Sequence, residues 1–361
     1  MSTFDYSGLA LKMVAPSNEL ITDDKGLPGA YVYRAKKMLS ELLTSGDASI
    51  VHPAFVIDEN IKDGLYFGKF QGKSHNNRIY SLPGEDPTAS INLDTYVQYC
   101  RNKGTGHHCI TAAEWAFLAL LAKKNGTQPK GNNNYGKDVT ETTYQAIPKY
   151  YSSGSIARVA TGTGPLTWSD TGAIDGIWDL NGNIWEWVAG IRLVKGELQV
   201  IPFNNAALAD VDMSATSGAW KALNASATSY SDLFITPDGN GTTSGSIKLD
   251  YVSSHWQWAT TITSQSDSSR NAAFASTTFG TGVSDFCKMY MRAMALAPEE
   301  NDTDYGGDYF YANNGADERC AYRGGHWNYG AQSGVFALSF SNARSYVDTH
   351  IGGRPAFAPE T

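Results

Sequence analysis

Cysteine is scarce in this chain of 361 residues: Cys100, Cys109, Cys287 and Cys320 are the only four. Their scatter describes neither a disulfide scaffold nor a zinc site with regular ligand spacing, so four buried free thiols are expected. Charge is scarce too. Asp, Glu, Lys and Arg make up 18% of the residues, against about 25% in an average soluble protein, and the net charge is -8. Without a basic surplus, no nucleic-acid partner and no anionic membrane surface is expected. No run approaches the ~20 apolar residues of a membrane span. Met1 to Pro16 holds one lysine and no sustained apolar core, so neither membrane insertion nor Sec export is expected. Among the seven histidines only His107 and His108 cluster, and adjacent residues rarely chelate one ion, so no metal ligand is assigned. A phosphate loop, a Gly-x-Ser-x-Gly elbow and a His-Glu-x-x-His helix are all missing, and there is no solenoid or propeller repeat.

What the chain does have is apolar and aromatic mass: 42% hydrophobic and 12% aromatic residues, kept in solution largely by Asn, Ser, Thr and Gly. Its length fits two average domains or one large domain with insertions. Residues 1–50 read as a separate helical unit, because Val32, Ala35, Met38, Leu39, Leu42 and Leu43 recur at helical spacing before Ser45-Gly46. Such an isolated amphipathic helix suits oligomerisation. From Val51 the period becomes two, and Phe55, Ile57, Leu65, Phe67 and Phe70 suggest a hairpin around Asp63-Gly64. A helix follows over Leu93 to Lys103. A second starts at Thr111, where Thr111 and Glu114 have capping-box spacing, and ends at Lys123, Lys124 and Gly126. Residues 125–164 read as loop with short strands. Residues 195–310, punctuated by turns such as Pro237-Asp238-Gly239, read as an insertion of hairpins and loops.

Two segments carry the most information. Trp178, Trp185 and Trp187 surround the turn Asn181-Gly182-Asn183, and their alternation with apolar neighbours marks them as core plugs rather than sugar-stacking plates. Glu186, between two of them, lacks the partner that acid-base chemistry needs. Near the end stand Arg323-Gly324-Gly325-His326-Trp327, Gly334-Val335-Phe336-Ala337-Leu338, Asn342-Ala343-Arg344-Ser345 and Ile351-Gly352-Gly353-Arg354-Pro355-Ala356. Val335, Phe336, Leu338 and Phe340 supply a core side, and Arg323, Arg344 and Arg354 read as pins for irregular chain through carboxylates and loop carbonyls.

Together with Ile110-Thr111-Ala112-Ala113-Glu114-Trp115, these segments resemble the formylglycine-generating-enzyme type of C-type lectin fold, over most of residues 51–361 apart from the inserted loops. The fold class implied is α+β, C-type-lectin-like. The tail most resembles the variable proteins of diversity-generating retroelements, including phage receptor-binding proteins, in which adenine-rich codons are mutated between framework residues. It departs from them at Gly353, where that pattern has Phe or Ala, so different packing of the last strand is expected there.

Over a variable region of about residues 323–357, the resemblance implies changeable, ligand-contacting positions at His326, Asn328, Tyr329, Ala337, Ser339, Ser341, Tyr346, Asp348, Thr349 and His350. Each can be reached by changing the adenines of an Asn codon that ends in a pyrimidine. Such codons cannot yield Trp, Met, Lys, Glu or Gln, so Gln332 falls to the framework. Ala337, Ser339 and Ser341 alternate with Leu338 and Phe340, so one strand face can vary while the other holds the core. Tyr329 and Tyr346 add rigid amphipathic area, as in antibody loops.

The enzymatic relatives set different requirements. A copper-dependent oxidase of the formylglycine-generating type needs two cysteines after the Gly-Gly-aromatic segment, where this chain has Asn328 to Ser333 and no cysteine beyond Cys320. A sulfoxide synthase needs an iron site on an additional helical domain. A calcium-dependent lectin needs a carboxylate loop that Asp302, Asp304 and Asp308 do not match. The expectation is a binding protein without catalytic residues, cofactor or metal. It would take a protein or glycan receptor on a cell surface, as part of a virion at the phage tail, with the cytoplasm or the bacterial surface as alternatives, and homo-oligomerisation would add avidity.

Overall fold

The longest strand, Trp185–Val194, is buried at every position, because sheet neighbours flank it and core covers both of its faces. In the computed structural model, which describes residues 3–359, it pairs antiparallel with Glu197–Val200 and Arg319–Arg323 and parallel with Ile351–Gly353. The register with Arg319–Arg323 shifts between Trp187 and Arg192, and Gly190 stands there at φ 83°. This bulge changes which face the odd-numbered residues occupy. Before it, Trp185, Trp187 and Ala189 join an aromatic cluster with Tyr322. After it, Ile191 and Leu193 join the main core.

The large sheet continues from Arg319–Arg323 through Leu338–Asn342 and Tyr309–Ala312 to Arg270–Ala273, and on its other side through Glu197–Val200 to Lys248–Val252 and His255–Ala259. A second sheet orders Asn18–Thr22, Pro28–Ala35, Gly64–Gly68, Pro355–Phe357 and His107–Cys109. The end of the chain joins the two, since Ile351–Gly353 lies in the first and Pro355–Phe357 in the second. The architecture is mixed α+β and mostly sheet.

Helix Ala112–Lys124 begins as the sequence indicates. Thr111 caps it, its hydroxyl accepting from the Glu114 amide at 3.2 Å while the Glu114 carboxylate accepts from the Thr111 amide at 3.0 Å. Trp115, Leu118 and Ala122 are buried, as their stripe predicts. Helix Leu93–Arg101 likewise buries Leu93, Tyr96, Val97 and Cys100. All four cysteines are buried and free.

Three expectations need correction. Residues 28–35 form a strand rather than a helix, paired with Asn18–Thr22 and Gly64–Gly68, so this part of the chain belongs to the second sheet and is not a separate helical unit. Only the turn Leu39–Leu42 is helical in that stretch, while Thr3–Val14 forms a longer helix. Apolar residues at mixed three- and four-residue spacing also fit a strand buried on both faces, and the neighbouring strands decided the outcome. The hairpin near residue 60 turns at Asp58-Glu59, not at Asp63-Gly64, joining Val56–Ile57 to Asn60–Ile61. Residues 195–310 do hold a hairpin, Lys248–Val252 with His255–Ala259, but it is part of the large sheet rather than an insertion apart from it. They extend the large sheet, add helix Asp285–Ala293, and bury Trp256 and Trp258 with their indole N–H groups donating to the carbonyls of Phe310 and Leu296. Among the described residues, no helix is long and apolar enough to cross a membrane.

Candidate ligand-binding surface

The register of the four strands that meet at the tail sets Trp187, Tyr322, Ser339 and Tyr311 in one cross-strand row, with Glu186, Arg323, Leu338 and Phe310 in the next. Alternate rows point to opposite faces of a sheet. Leu338 and Phe340 therefore enter the main core, while Ala337 joins the aromatic cluster on the other side. On that side Trp185 meets Tyr322 and Tyr329 edge to face, with centroids at 5.1 and 5.7 Å, and Tyr329 meets Tyr311 at 5.3 Å. Gln332 supports this base from the side, accepting from the Tyr311 hydroxyl at 2.5 Å.

A second segment reaches the base from the far end of the tail. The rings of His326 and His350 stack at 4.2 Å with 16° between their planes, and His326 meets Tyr329 at 4.3 Å. His350 Nδ1 lies 2.9 Å from the Asp348 carboxylate, whose other oxygen accepts from the Tyr346 hydroxyl at 2.8 Å. Tyr346, Asp348, His350, His326 and Tyr329 thus form one continuous chain of contacts. The backbone beneath is pinned: the amides of Trp185 and Ser90 donate to the carbonyls of His350 and Asp348, each at 2.8 Å. Arg158 donates to the Thr349 carbonyl at 2.7 Å while forked onto Asp86.

The ten implied positions do not share one environment. Asn328 and Thr349 are exposed, and Tyr329, Ser341, Tyr346, Asp348 and His350 are half-buried. Ala337 is 0% exposed, Ser339 1% and His326 4%, which corrects the expectation that all ten stand displayed. Ser339 lies between Tyr322 and Tyr311, two much larger side chains on the neighbouring strands. His326 is covered by the His350 ring. These three make the floor of the surface. Ser341 stands at its edge, accepting from the Ser339 hydroxyl at 3.1 Å and 2.6 Å from the Ser269 hydroxyl.

Electrostatics follow from this burial. His326 is held well below its ordinary value by burial and then by the neighbouring His350, and burial also lowers His350 against the pull of Asp348. Both rings are neutral at pH 7. Burial pulls the Asp348 carboxyl up, but the Tyr346 hydroxyl and His350 outweigh it and leave it below the ordinary value, so it is charged.

The arginines act as pins. Arg323 donates to the carbonyls of Met294 and Ala295 at 3.2 and 2.9 Å, and Arg344 forks onto Glu318 at 2.7 and 2.8 Å. Gly353 has a local reason as well. A Cβ there would come within 2.8 Å of the Tyr96 ring, which fills the space that a larger residue would take.

No protein-family model and no curated protein matches the chain. The carboxylates weighed above as a calcium loop are committed elsewhere, and the four thiols are buried. Asp302 and Asp304 pair with Lys123, and Asp308 is buried and accepts from the Phe336 amide at 2.7 Å. Burial pushes the Cys287 and Cys320 thiols up to about 12. His108 and Glu114 bond at 2.8 Å inside the fold, and His107 packs against Phe357.

The sequence reasoning read Trp185 as a core plug, which its burial bears out, and missed Tyr322, Tyr311 and Arg158 as parts of the surface and its support. A signal for Tyr311 was present, because Tyr309 and Tyr311 alternate with Phe310 and Ala312. Nothing local marks Arg158, whose partners Asp86 and Thr349 are 72 and 191 residues away.

Proposed function

We propose that this chain is a recognition protein. Its scaffold is C-type-lectin-like, of the formylglycine-generating-enzyme type, and its tail is the changeable contact surface of a diversity-generating retroelement variable protein. On this reading it attaches a phage tail to a receptor on a host cell and catalyses no reaction. One observation carries the reading: implied variable residues from two separate stretches, 326–329 and 346–350, meet in a single patch over a fixed aromatic base. The framework residues between and beside them, Arg323, Phe336, Leu338 and Arg354, are buried. Division of labour of this kind lets contacts change without loss of the core.

The test is a multiple substitution at Asn328, Tyr329, Tyr346, Asp348, Thr349 and His350, followed by attachment of the purified protein to host cells. Loss of attachment with unchanged thermal unfolding is expected, and retained attachment would remove the recognition reading. The retroelement origin has its own check. The expected arrangement is a nearby reverse-transcriptase gene with a template repeat that differs from the 3′ end of this gene only at adenines.

A further inference from the structure

Charge on the patch is not balanced. Among the ten positions Asp348 alone carries a charge at neutral pH, since the two imidazoles are neutral and the others have no charged group. Among the described residues no lysine or arginine forms an ion pair with it, and two arginines of this region are already used. Arg158 is forked onto Asp86 at 2.7 and 2.9 Å, and Arg344 is held by Glu318 and by Asp94 at 2.9 Å. An uncompensated carboxylate therefore sits among tyrosine and histidine rings.

We propose that this constellation, Asp348 with Tyr346, Tyr329 and the His326–His350 stack, is a subsite for an organic cation: the guanidinium or ammonium group of an Arg or Lys side chain exposed on a protein receptor. The inference rests on the recognition reading above and names the chemistry of its partner. Asp348 keeps 32% of its side chain exposed. Each carboxylate oxygen has two lone pairs; His350 and Thr349 engage Oδ1 and Tyr346 engages Oδ2, so one acceptor position on Oδ2 is left for a ligand. Those bonds hold it ready for one charge-assisted donor, and aromatic rings beside it favour a cation over a neutral ligand. His326 supplies an independent sign. It is 4% exposed, and its Nδ1 is buried without a hydrogen-bond partner. Such an unpaired nitrogen at the base of the patch costs free energy that a new partner would recover. The sign of the charge fits, because a chain of net charge -8 draws a basic partner towards it.

The experiment titrates N-acetyl-arginine amide, and separately its neutral isostere N-acetyl-citrulline amide, against the full chain, with the tyrosine and histidine ring resonances as readout. Saturable shifts with the arginine compound and none with citrulline are expected. Asp348→Asn keeps an acceptor for Tyr346, and it is expected to weaken arginine binding by about tenfold or more, the worth of one charge-assisted pair. Equal binding of both compounds, or arginine binding unchanged in Asp348→Asn, overturns the subsite. Cell attachment separates this from the broader reading. Attachment abolished by the multiple substitution but unaffected by Asp348→Asn sinks the cation subsite alone, whereas attachment that survives both sinks recognition by the tail.

Discussion

Arg354 grips Glu186 through two parallel hydrogen bonds, Nε to Oε2 at 3.0 Å and Nη2 to Oε1 at 2.8 Å, and neither side chain has any exposure. The guanidinium also donates to the carbonyls of Gly68 and Trp178, each at 2.8 Å. It therefore ties the strand behind the aromatic base to the second sheet, at the point where the chain passes from one sheet to the other. Removing one partner leaves the other buried and unpaired. Arg354→Met is expected to cost about 3–5 kcal/mol in urea unfolding. Arg354→Met combined with Glu186→Leu should recover a large part of that loss, and a double variant no better than the single would show that the bonds to Gly68 and Trp178 matter more.

Floor and rim of the surface should respond differently to size. Ala337→Tyr or Ser339→Tyr puts a ring where exposure is 0% and 1%, and overpacking of this kind costs roughly 1–3 kcal/mol. Tyrosine at Asn328 or Thr349, both exposed, should stay within about 0.5 kcal/mol of the parent. Thermal unfolding of the four variants decides the matter. Equal tolerance at all four would mean that the floor opens and belongs to the displayed set.

His52 makes the fold sensitive to acid. Its ring is fully buried, with Nε2 donating to the Ala293 carbonyl at 2.7 Å and Nδ1 accepting from the Ala54 amide at 3.2 Å. Only the neutral ring satisfies both bonds, and burial lowers its pKa to about 4. A histidine depressed in the folded state contributes stability that is full above the unfolded value of 6.5 and is lost as pH falls through about 4. At roughly 1.4 kcal/mol per unit, the loss approaches about 3 kcal/mol. Buried carboxyls titrate in the same window with opposite sign, so the measurement is a difference: stability from pH 7 to pH 4 in the parent minus that in His52→Gln. The difference should shrink on acidification, and a constant difference would mean that burial does not hold the His52 pKa below its unfolded value.

Asp308 works in the other direction. Burial pushes its carboxyl up to about 8 against the pull of the Phe336 and Ala337 amides and of Arg323. A raised carboxyl contributes stability that is full below 3.8 and is lost as pH rises through about 8. Asp308→Asn keeps an acceptor for the Phe336 amide and cannot ionise, so it is expected to match or exceed the parent at pH 8 and to flatten the fall in stability between pH 3.8 and about 8. Asp308→Ala orphans that amide and should lose about 1–3 kcal/mol. If Asn is as damaging as Ala, the carboxylate is charged in the fold and paired with Arg323.

Local chemistry was the legible part of this molecule. The Thr111 capping box, the stripe of helix Leu93–Arg101, the positive φ of Gly182 in its turn and the core side of Leu338 and Phe340 all follow from neighbours within a few residues. Residues 28–35 failed for the same reason, because a short apolar run carries no mark of whether strands will flank it. The helix at 285–293 was missed although Ser284 caps it, accepting from the Cys287 amide at 3.1 Å, since the turn-rich sequence around it weighed more in the reading than one capping residue.

The sequence by itself determined which tail residues alternate between core and surface, and it marked the arginines as pins, because period-two geometry and side-chain chemistry are local properties. Tertiary structure decided what that alternation means. Register placed Ser339 between Tyr322 and Tyr311, the bulge at Gly190 moved the odd-numbered residues of the central strand from one face to the other, and a loop folding back laid His350 on His326. Burial and charge at those positions depend on side chains brought in from distant parts of the chain, and that proximity exists only once the strands have paired.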